Sequence, residues 1–365
     1  MKSVCDILNK PQLDKDDIIR LLSITERTEH EQLIKHAYSI KEQSIGRNVY
    51  LRGLIEFSNY CKKNCLYCGI RSGNTKVNHY MMTDDEILET VDFAVKNRFT
   101  GIVLQSGEQQ SDEFTDRITK LILKIKQATN PEFRFTLSLG EQSFETYKAW
   151  FEAGAQRYLL RIETSSEELY RKIHPDNKLH DFKTRLQCLK NIQKVGFQTG
   201  TGVMIGLPFQ TIENLADDLL FLTEMNIDMV GMGPYLEHAD TPLYEYKDSL
   251  LPLNDRFNLS LRMIAILRIL MPNINIASTT ALQSIVPMGR EHGLKAGANI
   301  LMPNLTPGKY RGNYLLYDNK PCIDEEADDC IDCLASRVQM IGEEIAYNNV
   351  GDSTHYKKRQ QTKED

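Results

Sequence analysis

The 365-residue chain contains no apolar run close to the ~18 to 20 residues that cross a bilayer as a helix. Its opening, MKSVCDILNKPQLDKDD, has no apolar signal core with a small-residue cleavage site behind it. These two absences lead us to expect a cytoplasmic protein without a membrane partner. Long basic blocks are missing as well: 44 Lys and Arg stand against 50 Asp and Glu, for a net charge of −6, and only the tail around Lys357, Lys358 and Arg359 is locally basic. Nucleic acid is therefore not an expected partner. Nor does a Pro-, Gly- or Ser-rich linker divide the chain, so one large domain with extensions is expected.

What is present is a repeat of strand and helix. An apolar content of 41% supports a substantial core. Apolar, β-branched strand candidates fall at residues 49–58, 100–107, 133–140, 156–164, 197–206, 229–236, 273–281 and 299–304. Amphipathic stretches with helical spacing separate most of them. In TDDEILETVDFAVKN, Thr83 followed by Asp85 and Glu86 reads as a helix N-cap with an acidic first turn. Such alternation, about eight times over, is the pattern of an α/β fold of the (β/α)8 TIM-barrel type. The expected organisation is an N-terminal helical extension over 1–48, the barrel over 49–321 and a C-terminal cysteine-containing segment over 322–365. Chemistry in these barrels sits where strands end and loops begin. Glu56 and Ser58 end the first candidate strand, Gln105, Ser106 and Glu108 the second, Ser138 and Glu141 the third, and Arg161 and Glu163 the fourth.

The chain has 8 cysteines, most of them in two tight groups. Cys61, Cys65 and Cys68 follow the first strand with the spacing C-x3-C-x2-C. In a reducing compartment clustered thiols more often bind metal or do redox chemistry than form disulfides. A structural zinc site closes with four protein ligands, and the nearest further candidate, His79, lies well along the chain near the next helix. Three thiolates on an iron-sulfur cluster leave one iron with an open position that can bind substrate. Cys5 and Cys188 are isolated and read as ordinary thiols.

C-x3-C-x-aromatic-C, with Tyr67 as the aromatic, resembles the signature of radical S-adenosylmethionine (SAM) enzymes. The segments LIEFSNYCKKNCLYCGIR, IVLQSGE, TLSLGE, AGAQRYLLRIET, MIGLPFQT, DMVGMGP, ASTTA, IVPMGRE and GANILMPNLTP are similar, more narrowly, to the HydE family of [FeFe]-hydrogenase maturases, from about Arg52 to Cys333. The resemblance implies a 4Fe-4S cluster on Cys61, Cys65 and Cys68 whose open iron chelates the methionine end of SAM. Reductive cleavage of SAM then gives methionine and a 5'-deoxyadenosyl radical. It places Gln105, Ser106, Gly107 and Glu108 at the SAM amino group, Glu163 at the ribose and Arg185 at the SAM carboxylate. Tyr67 and Arg161 join the cofactor-binding set; Thr136, Ser138 and Thr280 line the cavity near SAM; Thr279 and Tyr317 are catalytic candidates. Ile162 stands where the family pattern R-H-E-T has histidine, which implies less polar surroundings for Glu163. Read from the residues alone, Arg161 serves equally as half of a buried ion pair, Arg185 as an exposed salt-bridging helix residue, and the tyrosines of YRGNYLLYD as packing.

The second group, Cys322, Cys330 and Cys333 in PCIDEEADDCIDC, is surrounded by Asp324, Glu325, Glu326, Asp328, Asp329 and Asp332. A second, auxiliary iron-sulfur cluster is the expectation, with zinc and a carboxylate ligand as the competitor. A pocket of Tyr, Thr, Ser and Arg suits a polar or anionic compound. The resemblance implies a small iron-bound cysteine complex carrying carbonyl and cyanide ligands, processed during assembly of the diiron cofactor, with Tyr314 and Tyr317 near the cavity. It also implies an electron donor such as ferredoxin or flavodoxin, and the other hydrogenase maturases, as partners. The rival readings are a methylornithine synthase or biotin-synthase-like enzyme, and an iron-sulfur carrier or scaffold without turnover.

Overall fold

The structure, a computed structural model, describes residues 3–323 and 327–364, and within these all side chains except those of 327–332 and 362–364. Eleven strands among the described residues form one parallel sheet: β1 (Asn48–Leu51), β2 (Gly53–Ser58), β3 (Gly101–Ser106), β4 (Arg134–Ser138), β5 (Arg157–Leu159), β6 (Gln198–Thr201), β7 (Met204–Ile205), β8 (Met229–Pro234), β9 (Asn275–Ser278), β10 (Ile300–Leu301) and β11 (Glu344–Ile345). β1 and β2 are one extended segment interrupted at Arg52. β1 pairs with β10, Tyr50 opposite Ile300, while β2 pairs with β3, Gly53 opposite Ile102. The first segment therefore closes the sheet on itself, and a bridge between Leu54 and Asn304 continues the closure toward the strand ends. Each of the sequence-derived strand candidates contains a strand, and the expected barrel class is the observed one.

Staves covered on both faces need apolar residues in succession rather than alternation. Ile102, Val103 and Leu104 of β3 are accordingly all buried. The helix Asp84–Lys96 begins as its sequence requires: Thr83 Oγ1 accepts the Glu86 N–H at 3.2 Å, and Glu86 Oε2 accepts the Thr83 N–H at 2.8 Å. Register then levels the polar strand ends. Glu56 lies opposite Gln105, and Gln105 opposite Ser138, so three strands deliver polar groups at one height.

The N-terminal helices Lys15–Leu22 and Arg27–Ser44 pack outside the barrel through Ile18, Leu21, Leu33 and Ala37. Lys41 and Glu343, both fully buried, pair at 2.6 Å and tie these helices to the C-terminal segment. That segment crosses the N-terminal end of the barrel. Gly351 O accepts from Arg52 Nη2 at 3.3 Å and Asn275 Nδ2 at 2.9 Å; Asp352 pairs with Arg157 at 2.7 Å; Ser353 N–H donates to Gln198 Oε1 at 2.9 Å.

Candidate active site

At the opposite end the strands surround a cavity of about 350 Å³. Cys61, Cys65, Tyr67 and Cys68 reach it from the loop after β2, and Gln105, Ser106, Gly107 and Glu108 from the end of β3. Ser138 enters from β4, Arg161 and Glu163 from the segment after β5, and Thr279 and Thr280 from the end of β9. Arg185, on the helix Phe182–Val195, together with Tyr314 and Tyr317, completes this set. Thr136 is the exception: two residues before Ser138 on the same face of β4, it lines a separate pocket of about 20 Å³ one layer deeper, with Arg52 and Met229. A larger groove of about 650 Å³ lies outside the barrel against the helix Arg27–Ser44, away from the thiols.

Gly107 permits the approach of the β3 loop to the cysteine loop. A Cβ there would stand 2.3 Å from the Tyr60 carbonyl oxygen and 2.8 Å from Cys61 Cβ. The adjoining Glu108 N–H donates to Cys61 Sγ at 3.3 Å.

Lys63 carries no sequence signal beyond its place between Cys61 and Cys65, yet it anchors a buried charge network. Lys63 Nζ donates to Glu141 Oε2 at 2.7 Å and lies 3.2 Å from Glu108 Oε1. Arg185 Nη1 donates to Glu108 Oε2 at 3.2 Å and to Glu141 Oε1 at 3.0 Å. The four side chains are at most 10% exposed, which overturns the exposed-helix reading of Arg185. Burial opposes the Arg185 charge, but Glu141 and Glu108 outweigh it and hold the guanidinium above its ordinary pKa. Burial also raises Glu108, against the pull of Arg185. These shifts point to opposite charge states for one pair; two cations at 3.2 Å favour the ionised carboxylate. Arg185 Nε is buried and makes no hydrogen bond, whereas Glu108 Oε1, also without one, still faces the Lys63 ammonium. A buried N–H without a partner, beside a buried carboxylate, fits the carboxylate and ammonium of an amino acid.

Across the cavity Arg161 grips Glu163 with a planar fork: Nε to Oε1 at 2.9 Å, and Nη2 to Oε2 at 2.9 Å. Glu163 has φ 67°, in the left-handed region. Ile162, between Arg161 and Glu163, is fully buried in the hydrophobic cluster and is not among the residues that line the cavity. The departure from the histidine pattern therefore falls outside the cavity wall, and the expected loss of polarity around Glu163 does not follow from it. Tyr67 OH lies 3.2 Å from His174 Nε2, and His174 Nδ1 lies 2.9 Å from the Tyr170 carbonyl. A carbonyl only accepts, so Nδ1 carries the proton and Tyr67 donates to Nε2. Burial pushes His174 down to about 3, which keeps the ring neutral.

Cys61, Cys65 and Cys68 are half-buried and form part of the cavity wall. Burial raises all of them, Cys65 to about 12, and in Cys68 the neighbouring Cys65 and Cys61 add to it. Thiols that raise one another deprotonate together only against a positive centre, and a thiolate-held iron cluster supplies one. Among the described residues no three His, Cys, Asp or Glu side chains converge on the position of one metal ion, so the three thiols are not a preformed single-ion site.

Cys322 is half-buried with φ 62°, and its carbonyl accepts from Arg311 Nη1 at 3.1 Å; Cys333 is exposed on the helix Ala327–Met340. The Cys330 side chain and the acidic residues Asp324, Glu325, Glu326, Asp328, Asp329 and Asp332 lie outside the described set.

Residues 55–222 match the radical SAM superfamily. The chain is 44% identical over 341 residues to the [FeFe] hydrogenase maturase subunit HydE of Thermotoga maritima, covering 93% of this chain and 94% of that one. It is 30% identical to a 3-methylornithine synthase of Methanosarcina acetivorans, covering 92% and 91%. Its fold matches the crystal structure of methylornithine synthase (PylB) with a TM-score of 0.80 at 26% identity, over 95% and 98% of the two chains. With the higher identity to the hydrogenase maturase spanning nearly the whole chain, and with the three-thiol loop opening into the barrel, the chain belongs to the HydE family of radical SAM enzymes.

Proposed function

We propose that this enzyme cleaves SAM reductively in the barrel cavity during assembly of the [FeFe]-hydrogenase cofactor, acting on a small iron-bound cysteine complex. Membership of the radical SAM superfamily brings a 4Fe-4S cluster and SAM. Together they supply an electron and a carbon-centred radical. One observation carries the assignment of residues: three thiols, a buried guanidinium whose Nε makes no hydrogen bond, and a buried carboxylate line the same cavity. Cys61, Cys65 and Cys68 hold the cluster. Arg185 Nε–H donates to the SAM carboxylate, Glu108 accepts from its ammonium, and Glu163 accepts from the ribose hydroxyls with the lone pairs that Arg161 leaves. Leu159, Leu160 and Leu316 in the same wall exclude water. Ser138, Thr279, Thr280 and Tyr317 offer hydroxyls to the substrate, and Tyr314 OH accepts from Gln105 Nε2 at 3.4 Å. A ferredoxin or flavodoxin donates the electron, other hydrogenase maturases are partners, and Cys322, Cys330 and Cys333 hold an auxiliary cluster.

The test is anaerobic reconstitution with iron and sulfide, then reduction with SAM present. We expect 5'-deoxyadenosine and, with the other maturases, activation of an apo-hydrogenase. Formation of 3-methylornithine without activation would move the chain to the reaction named for its other relative. No SAM cleavage at all would favour a carrier.

A further inference from the structure

Asp218 lies on the helix Ile212–Glu224, outside the cavity, fully buried, with no cation paired to it among the described residues. Its Oδ1 accepts from Ser165 N–H at 2.6 Å, Ser165 Oγ at 2.7 Å and Thr164 Oγ1 at 3.3 Å. Its Oδ2 has no hydrogen-bond partner. A buried carboxylate without a cation or full hydrogen bonding costs stability. Burial, only partly offset by the Ser165 and Thr164 bonds, pushes its pKa up to about 6. Costly polar groups of this kind cluster where they hold a functional geometry.

The geometry in question is adjacent. Thr164 and Ser165 directly follow Glu163, whose left-handed backbone is unfavourable for any residue with a Cβ. On the barrel side Glu163 is held by its N–H to Gly202 O and by the Met204 N–H to its own carbonyl, both at 3.0 Å. On the outer side the turn is held by Asp218. The strained residue is clamped between the two.

We propose that Asp218 is a positioning residue for SAM binding: by pinning the Thr164–Ser165 turn it holds Glu163 in the strained conformation that directs its carboxylate to Arg161 and the cavity. This rests on the reading of Glu163 as the ribose ligand. Oδ1 works as an acceptor, so an asparagine retains the clamp and an alanine does not.

The reconstituted full-length enzyme is assayed for reductive SAM cleavage as Asp218→Ala, Asp218→Asn, Ser165→Ala and Glu163→Gln, with circular dichroism to confirm folding. In Asp218→Ala the KM for SAM rises about five- to twentyfold while kcat at saturation stays within about twofold, since only binding geometry is lost. Ser165→Ala gives a smaller rise of the same kind and carries the test if Asp218→Ala does not fold. Asp218→Asn stays within about twofold of the parent. A rise in the asparagine variant equal to that in alanine overturns the proposal, as does a folded Asp218→Ala or Ser165→Ala with unchanged KM. A fall in kcat without a change in KM marks a merely structural role and overturns it too. If Glu163→Gln weakens SAM and the Asp218 and Ser165 variants do not, the positioning role alone falls. If Glu163→Gln has no effect, the ribose reading falls and the proposal with it.

Discussion

Arg161 and Glu163, two residues apart, hold each other by three hydrogen bonds of 2.9 to 3.1 Å, so both oxygens of Glu163 already face a cation. The ion-pair reading holds and leaves room for the ligand reading: the pair fixes the carboxylate, and its remaining lone pairs stay open to hydroxyls. Arg161→Met should weaken SAM binding about ten- to hundredfold, by loosening Glu163 and leaving its charge unpaired. Arg161→Lys should recover only part, because a point charge does not reproduce the fork. Calorimetric titration checks both; an unchanged affinity in Arg161→Met contradicts the arrangement.

Cys65→Ala should lose the cluster signal in electron paramagnetic resonance and all 5'-deoxyadenosine formation, since two thiolates do not hold the cluster. Full turnover in this variant would sink the assignment of the loop.

Arg185→Ala removes a charge-assisted bond of about 1.5 to 3 kcal/mol, so SAM affinity should fall about ten- to hundredfold. It also leaves Glu108 and Glu141 to Lys63 alone, and a lower thermal midpoint should accompany the loss. Affinity equal to the parent would remove Arg185 from the SAM site.

Replacing Cys322, Cys330 and Cys333 together by alanine should lower the iron content while SAM cleavage stays measurable and hydrogenase maturation partly intact. The acidic surroundings in the sequence disfavour adding an electron there by Coulomb repulsion. A folded triple variant that makes no 5'-deoxyadenosine would make the second group obligatory.

Asp218 also sets a pH dependence of stability. Its pKa, about 6, is above the ordinary value of about 3.9, so the folded protein binds this proton more readily than the unfolded chain. The stability it contributes is full below about pH 4 and is lost as pH rises through about 6. Asp218→Asn should therefore be more stable than the parent by about 1 to 2 kcal/mol at pH 7.5, with the gap narrowing toward pH 4.5. Urea unfolding at the two pH values measures this; a gap that does not change with pH would contradict it.

The staves were legible because a strand buried on both faces must be apolar throughout, as in β3, and the cysteine loop because its spacing leaves little other chemistry. β11 was not legible: two residues, Glu344 and Ile345, hold no pattern. Lys63, His174 and Asp218 were invisible for a different reason. Lys63 acquires its role from Glu141, 78 residues away, and Asp218 from Thr164, 54 residues away, and neither has a local signature. Ile162 misled because the composition of a motif does not say which of its residues face the cavity, and this stretch lies beyond the regular strand, where alternation no longer tells.

The strap of Gly351, Asp352 and Ser353 fastens four staves at the barrel end opposite the cysteine loop, through Arg52, Arg157, Gln198 and Asn275. Staves far apart along the chain thus share three neighbouring residues as their clasp, and loss of that short stretch would slacken the rim remote from the thiols while leaving the reacting atoms untouched.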